Sequence, residues 1–334
     1  MENGFKSMKL RNYMKKEPVA AFPLVLAASI LFIIFSAIGP ALADDGRTES
    51  ETDSAKTVDG CSCCLNDYGF DQENSSIWIK SDWMNNDPIY LNKWSSNPWH
   101  NRIKDGNLIL NLDDYPCRSD KSQCQGRDLA SGEYSTVCDQ YRYGNLSAKI
   151  LAGKGDGVVT GMFLMGGVAG KQDEIDLEIF GKGAAEPEKW EIQTNYYVKG
   201  SQGNCLEPYG VPETCHVAII PINFDPTQTY HIYNVSWIGE GEKCSGIQWY
   251  IDGMLRRYVW LDEKGYVHSN VLDEKGEIIE AANPYKGELP SKQSKIFLSL
   301  WAAQNWTQAG DFNYDLKQPI SAKFDWIKYS PLRD

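Results

Sequence analysis

From Ile77 to the C-terminus the sequence never sustains a helical period; short runs rich in Val, Ile, Tyr and Trp are broken by turn residues instead. Residues 107–112 follow an Asp105-Gly106 turn signal, and 144–151, 158–164, 174–180, 190–198 and 231–237 have the same texture. Residues 247–251 lead through Asp252-Gly253 into 255–259, a hairpin pattern. Segments 296–301 and 322–329 close the chain. Many strands with no helices between them predict an all-β fold, with antiparallel sheets packed as a β-sandwich or jelly roll. Residues 261–290 break the rhythm. They are polar, carry Asp-Glu-Lys-Gly at 262–265 and again at 273–276, and read as a surface insertion.

The N-terminus does not belong to that fold. Lys6, Lys9, Arg11, Lys15 and Lys16 precede an uncharged apolar run, 19–38, and Ala41-Leu42-Ala43 forms a small-x-small site before Asp44-Asp45. Residues 1–43 read as a signal peptide, or as a signal anchor if the run stays uncleaved and holds the chain at a membrane. Either way the remainder is expected outside the cytoplasm, secreted or tethered. Residues 44–76 read as a polar, acidic tether bearing Cys61, Cys63 and Cys64, and 77–332 as one large domain. Nine cysteines in an exported chain imply disulfides with one thiol over. Cys117 with Cys124, and Cys205 with Cys215, would each close a local loop; Cys138, Cys244 and the cluster leave the remaining connectivity open. The cluster lacks Cys-x-x-Cys spacing, so zinc is not expected. A net charge of −12, becoming −15 without residues 1–43, argues against nucleic acid and fits a neutral ligand.

The segment that carries chemistry is Asp173-Glu-Ile-Asp-Leu-Glu-Ile-Phe180. Side chains alternate across a strand, so Glu174, Asp176 and Glu178 share one face while Ile175, Leu177 and Ile179 point to the core. Three acids in a row on one face repel unless at least one holds a proton. Glycoside hydrolysis needs that arrangement: an ionised carboxylate to attack the anomeric carbon and a protonated one to release the leaving group. Glu174 is assigned as nucleophile, Glu178 as general acid/base, and Asp176 as the residue that sets their charge states. Residues i and i+4 of a strand start ~13 Å apart at Cα, against ~5–5.5 Å for retaining carboxyl pairs. A twisted strand must close that gap, and the Asp176–Glu178 pair, starting at ~6.7 Å, remains the alternative.

Glu174-Ile-Asp-Leu-Glu178 resembles the active-site signature of glycoside hydrolase family 16. Further segments fall in the order seen in bacterial lichenases: Ser131-Gly-Glu-Tyr134, Gln193-Thr-Asn-Tyr-Tyr197, Phe224-Asp225, Trp249-Tyr-Ile-Asp-Gly253, Leu300-Trp301 and Phe324-Asp-Trp-Ile-Lys-Tyr329. The likeness spans roughly 108–329 and implies a jelly roll with a polysaccharide cleft along its concave sheet, and the same roles for the three acids. It also implies Glu133, Asn195, Tyr197 and Trp301 as sugar contacts, with Trp301 offering an apolar face to a pyranose ring; Gln193 shares the face of Asn195, and Trp306 is a looser candidate. The family's structural calcium would engage Asp325; no catalytic cofactor is implied, and a monomer is expected. The chain departs from the lichenase pattern at Gln172, Ser135 and Ser299, where Trp, Arg and Asn are usual. The implied activity is endo-hydrolysis of a β-linked glucan with retention. Transglycosylation and a non-catalytic lectin-like module are the competing readings; loss of a motif acid would mark the lectin, and all three acids are present.

Overall fold

The computed structural model describes Leu65 and residues 68–182, 190–203, 215–241, 243–313 and 317–332. The expected signal segment, the Cys61–Cys64 cluster and Cys205 lie outside these residues. Two sheets make up the fold, with one short 3₁₀ turn at Lys121–Cys124 among the described residues, between two strands of the larger sheet. The seven-stranded sheet runs in the order Ala218–Ile222, Trp190–Tyr197, Asp173–Phe180, Val158–Gly166, Lys295–Ala302, Glu133–Thr136, Trp78–Lys80, every pair antiparallel. The thirteen-stranded sheet is built around Lys243–Ile251, His231–Glu240, Gly144–Leu151, Ile320–Pro331 and Asn107–Asp113.

Alternation explains how the sheets close on each other. Leu146, Ala148 and Ile150 are buried while Asn145, Ser147 and Lys149 alternate with them, and the facing sheet supplies Ile175, Leu177 and Ile179. Each buried Leu or Ile here contributes roughly 1.5–3 kcal/mol. The seven-stranded sheet is also covered on its other face, but only at one side. Val159, Phe180 and Trp301 pack there against Trp94, Trp306 and Tyr90, in an apolar cluster separate from the main core. The acids lie on this same face, beside the cluster.

Two expectations need correction. The tether was placed over 44–76, yet Leu65 and Phe70 are buried in the core and Tyr68–Gly69 pairs with Ile327 and Trp326 of the last strand. Too few apolar residues stand there to show a strand by sequence. Residues 261–290 are not a loop insertion: Tyr266–Leu272 and Ile278–Ala281 extend the larger sheet, and Val267 and Val271 enter the core. The repeated Asp-Glu-Lys-Gly is one turn used twice. Asp262 Oδ1 accepts from the amides of Lys264 and Tyr266, Asp273 Oδ1 accepts from those of Lys275 and Glu277, and Gly265 and Gly276 take φ of +78° and +80°.

Cys117 and Cys124 form the expected bridge, Cys138 and Cys215 each take part in a disulfide, and Cys244 is a buried free thiol.

Candidate active site

The strand Asp173–Phe180 lies between Trp190–Tyr197 and Val158–Gly166, so each acid has a defined neighbour on either side. Glu174 pairs with Tyr197 and Met165, Asp176 with Asn195 and Phe163, and Glu178 with Gln193 and Gly161. The row through Glu178 continues across Ser299 to Glu133. Three sequence-distant acids and amides thus converge because antiparallel register puts them opposite one another. From behind, the indole Nε1 of Trp249 donates to the Asp176 carbonyl at 3.0 Å, pinning the strand through the core.

Bulk near Glu178 is kept small. A Cβ on Gly161 would lie 2.8 Å from Ser299 Oγ, so glycine there leaves open the space between Glu178 and Glu133. In the next row, Phe163 and Phe297 stack in parallel with ring centroids 4.7 Å apart, paving the sheet beside Asp176.

Burial governs the protonation of all these groups. It raises Glu174 from 4.5 to about 7, with hydrogen bonds to Asp176 and Gln172 opposing the rise. Glu178 is raised by burial to about 8; the Gln193 amide, donating to Glu178 Oε2 at 2.7 Å, opposes this while Glu174 adds to it. Asp176 is pushed well above its ordinary value by burial first, then by the charges of Glu174 and Glu178. Glu133 reaches about 7, again through burial. Four carboxyl groups therefore hold protons in a pH range where free carboxylates do not.

The remaining expected residues divide. Glu133 is 1% exposed, accepts from Trp83 Nε1 at 2.9 Å through Oε1, and keeps a buried Oε2 with no protein partner. Gln193 likewise leaves Oε1 unpartnered. Asn195 Nδ2 and the Tyr197 hydroxyl both donate to Gln202 Oε1, at 3.0 Å each. Trp301 is on the expected face, but Tyr90 and Trp306 pack on it and leave it 4% exposed. The open indole is Trp83, 39% exposed and stacked on Trp94 at 4.6 Å. Trp83, Tyr90, Phe163, Phe297 and Gln202 are the site residues that sequence reasoning missed. No motif marks them; only Trp83, a Trp amid polar residues, offered a signal.

Asp325 belongs to the other sheet, lining a hollow of about 530 Å³ with Gly69, Asp71, Gly106, Trp326 and Lys328. Calcium seeks six to eight oxygens and an excess of negative charge. Here Asp325 Oδ2 is paired with Lys149 Nζ at 2.6 Å, Lys328 lines the same hollow, and two ammonium groups balance the two carboxylates. Among the described residues no group of three or more His, Cys, Asp or Glu is arranged to hold a metal. The calcium ion that the resemblance implied would have to displace Lys149 from Asp325 and draw its remaining ligands from backbone oxygens around this hollow.

Comparison with known proteins agrees with the geometry. The model of "Glycosyl hydrolases family 16" matches residues 90–328. A β-glucanase of Paenibacillus polymyxa is 28% identical over 262 residues, covering 77% of this chain and 84% of that protein. An Arabidopsis thaliana protein named a probable xyloglucan endotransglucosylase/hydrolase is 25% identical over 227 residues, covering 66% of this chain and 55% of its own. The crystal structure of a β-1,3-1,4-glucanase from a mouse hindgut metagenome superposes with a TM-score of 0.56 at 24% identity, covering 80% of this chain and all of that one. With the acid row, the sheet order and the family match in agreement, the chain belongs to glycoside hydrolase family 16.

Proposed function

We propose that the protein is a retaining endo-glycosidase of β-glucan, with Glu174 as nucleophile, Glu178 as general acid/base and Asp176 as proton holder between them. The observation that carries this is the single row of three carboxyls, Asp176 buried and Glu174 and Glu178 half-buried, with unlike partners: Glu174 bonded to Asp176, and Glu178 held by Gln193. Glu174 attacks C1 of the sugar while Glu178 gives its proton to the glycosidic oxygen, and the C1–O bond breaks. The product is a glycosyl ester on Glu174 and a free chain end. Glu178, now a carboxylate, then takes a proton from water, whose oxygen attacks C1 and expels Glu174 with the original anomeric configuration restored. Asp176 shares its proton with Glu174 throughout, so the resting site holds less net charge than three free acids would. Gln193 aims Glu178. Glu133 and Trp83 form a pair suited to one sugar, the carboxyl bonding hydroxyls and the indole covering an apolar face.

The test is digestion of mixed-linkage β-glucan, laminarin and xyloglucan, with linkage analysis of products and the first-formed anomer read by NMR. Internal cleavage with a β-anomer is expected; an inverted anomer, or no release from any polymer by folded protein, overturns the proposal. The likeness to a xyloglucan endotransglucosylase/hydrolase supports a second reading, in which a sugar hydroxyl replaces water in the second step. Labelled acceptor oligosaccharides that gain length instead of being cut would favour it. Export through residues 1–43 belongs to the same proposal, since such polymers lie outside cells; N-terminal sequencing of the secreted protein tests it.

A further inference from the structure

The row of side chains on the cleft face begins one position before the motif acids: Gln172, Glu174, Asp176 and Glu178 share parity along the chain. Gln172 hydrogen-bonds Glu174, and its Oε1 is buried with no protein partner. The backbone around it is tied down from two sides. Gly200 N donates to the Gln172 carbonyl at 2.7 Å. Asp173 accepts from Lys199 N at 2.9 Å through Oδ1, and from Ser291 N at 2.8 Å and Lys292 N at 3.2 Å through Oδ2. Gly200 takes φ +83°, and a Cβ there would lie 2.5 Å from the Gly170 carbonyl, so the turn can press this closely only as glycine. An amide fixed at its backbone, bonded at one end to a carboxylate and bare at the other, is built for a task.

Resting on the assignment of Glu174 as nucleophile, we propose that Gln172 is a positioning residue that aims the Glu174 carboxylate at the anomeric carbon. Its unpartnered Oε1 accepts a hydroxyl of the sugar seated against Glu174. One side chain thereby registers the sugar against its attacker. The amide also matters electrostatically, because among the described residues the other ionisable groups around Glu174 offer it no positive charge at contact. Asp176 and Glu178 stand on its own strand, Tyr197 on the neighbouring one, Glu133 comes from Glu133–Thr136, and Tyr90 from the segment before Asn92–Trp94. Lys295 shares the row only across Met165.

The test uses Gln172→Met, of similar length with neither donor nor acceptor, and Gln172→Glu, which keeps the shape and adds charge. Each is compared with the parent in kcat, KM and pH profile, and in the rate of inactivation by 2-deoxy-2-fluoro-β-cellobiosyl fluoride. In that inactivation Glu174 Oε bonds to C1, and fluoride leaves with the electron pair of the broken C1–F bond. Losing the donor destabilises the ionised carboxylate, so the acid limb of kcat/KM should move up by about one pH unit in Gln172→Met, with kcat down about tenfold. Labelling should slow by a similar factor at pH 6, and KM should rise as the hydroxyl contact is lost. Gln172→Glu should show the larger upward shift of the acid limb. Peptide mapping separates the two ideas. A label on a residue other than Glu174 overturns the nucleophile assignment; a label on Glu174 with unchanged rate and unchanged acid limb in both variants overturns the role of Gln172. If Gln172→Met does not fold, the acid limb of Gln172→Glu decides alone.

Discussion

Replacing Glu174 by Gln should stabilise the protein at alkaline pH and do little at acid pH. Burial raises the Glu174 carboxyl from 4.5 to about 7, while in the unfolded chain it keeps its ordinary value. Below 4.5 both states hold the proton and the site imposes no ionic penalty. As pH rises, the unfolded chain ionises first, and stability falls until the folded group also ionises near 7. The loss is complete by pH 8 and amounts to about 3 kcal/mol, from ~1.36 kcal/mol per pH unit. Glu174→Gln removes this penalty, and it also removes a charge that raises Asp176 and Glu178, an effect of the same sign. For a domain of this size ~1 kcal/mol is worth about 2 °C, so the variant should melt about 6 °C above the parent at pH 8. Near pH 4 the two should almost coincide. Melting curves by calorimetry at both pH values, at equal ionic strength, measure the difference directly. An equal gain at both pH values, or none at pH 8, would refute the claim that this carboxylate is held charged at the expense of the fold.

Two further outcomes are expected. Glu178→Ala should lose about a thousandfold of activity on polysaccharide but far less on aryl glycosides with good leaving groups, because those need no proton from the acid; equal losses on both in steady-state assays would contradict the acid role. A chelator should leave the melting temperature of the parent unchanged, since Lys149 already neutralises Asp325; a calcium-dependent rise of several degrees would show that the ammonium yields to the metal.

Much of the site was legible because strand alternation is a local property. Glu174, Asp176 and Glu178 occupy one face by parity alone, and the same parity puts Gln193 and Asn195 together on the neighbouring strand. The major strands were legible for the same reason, Gly144–Leu151 to the residue. Short strands such as Glu133–Thr136 and Trp78–Lys80 carry too few residues for a period to register, and they escaped. Residues 261–290 were misjudged because a polar hairpin at a sheet edge has the composition of a loop.

The sequence by itself determined the sandwich and the row of three acids, since both follow from a period of two. Tertiary structure decided which indole meets solvent, what stands opposite Glu178, and that Lys149 faces Asp325. Those relations join residues far apart in the chain. They depend on strand order and on the rotamers that close packing allows, neither of which a local pattern encodes.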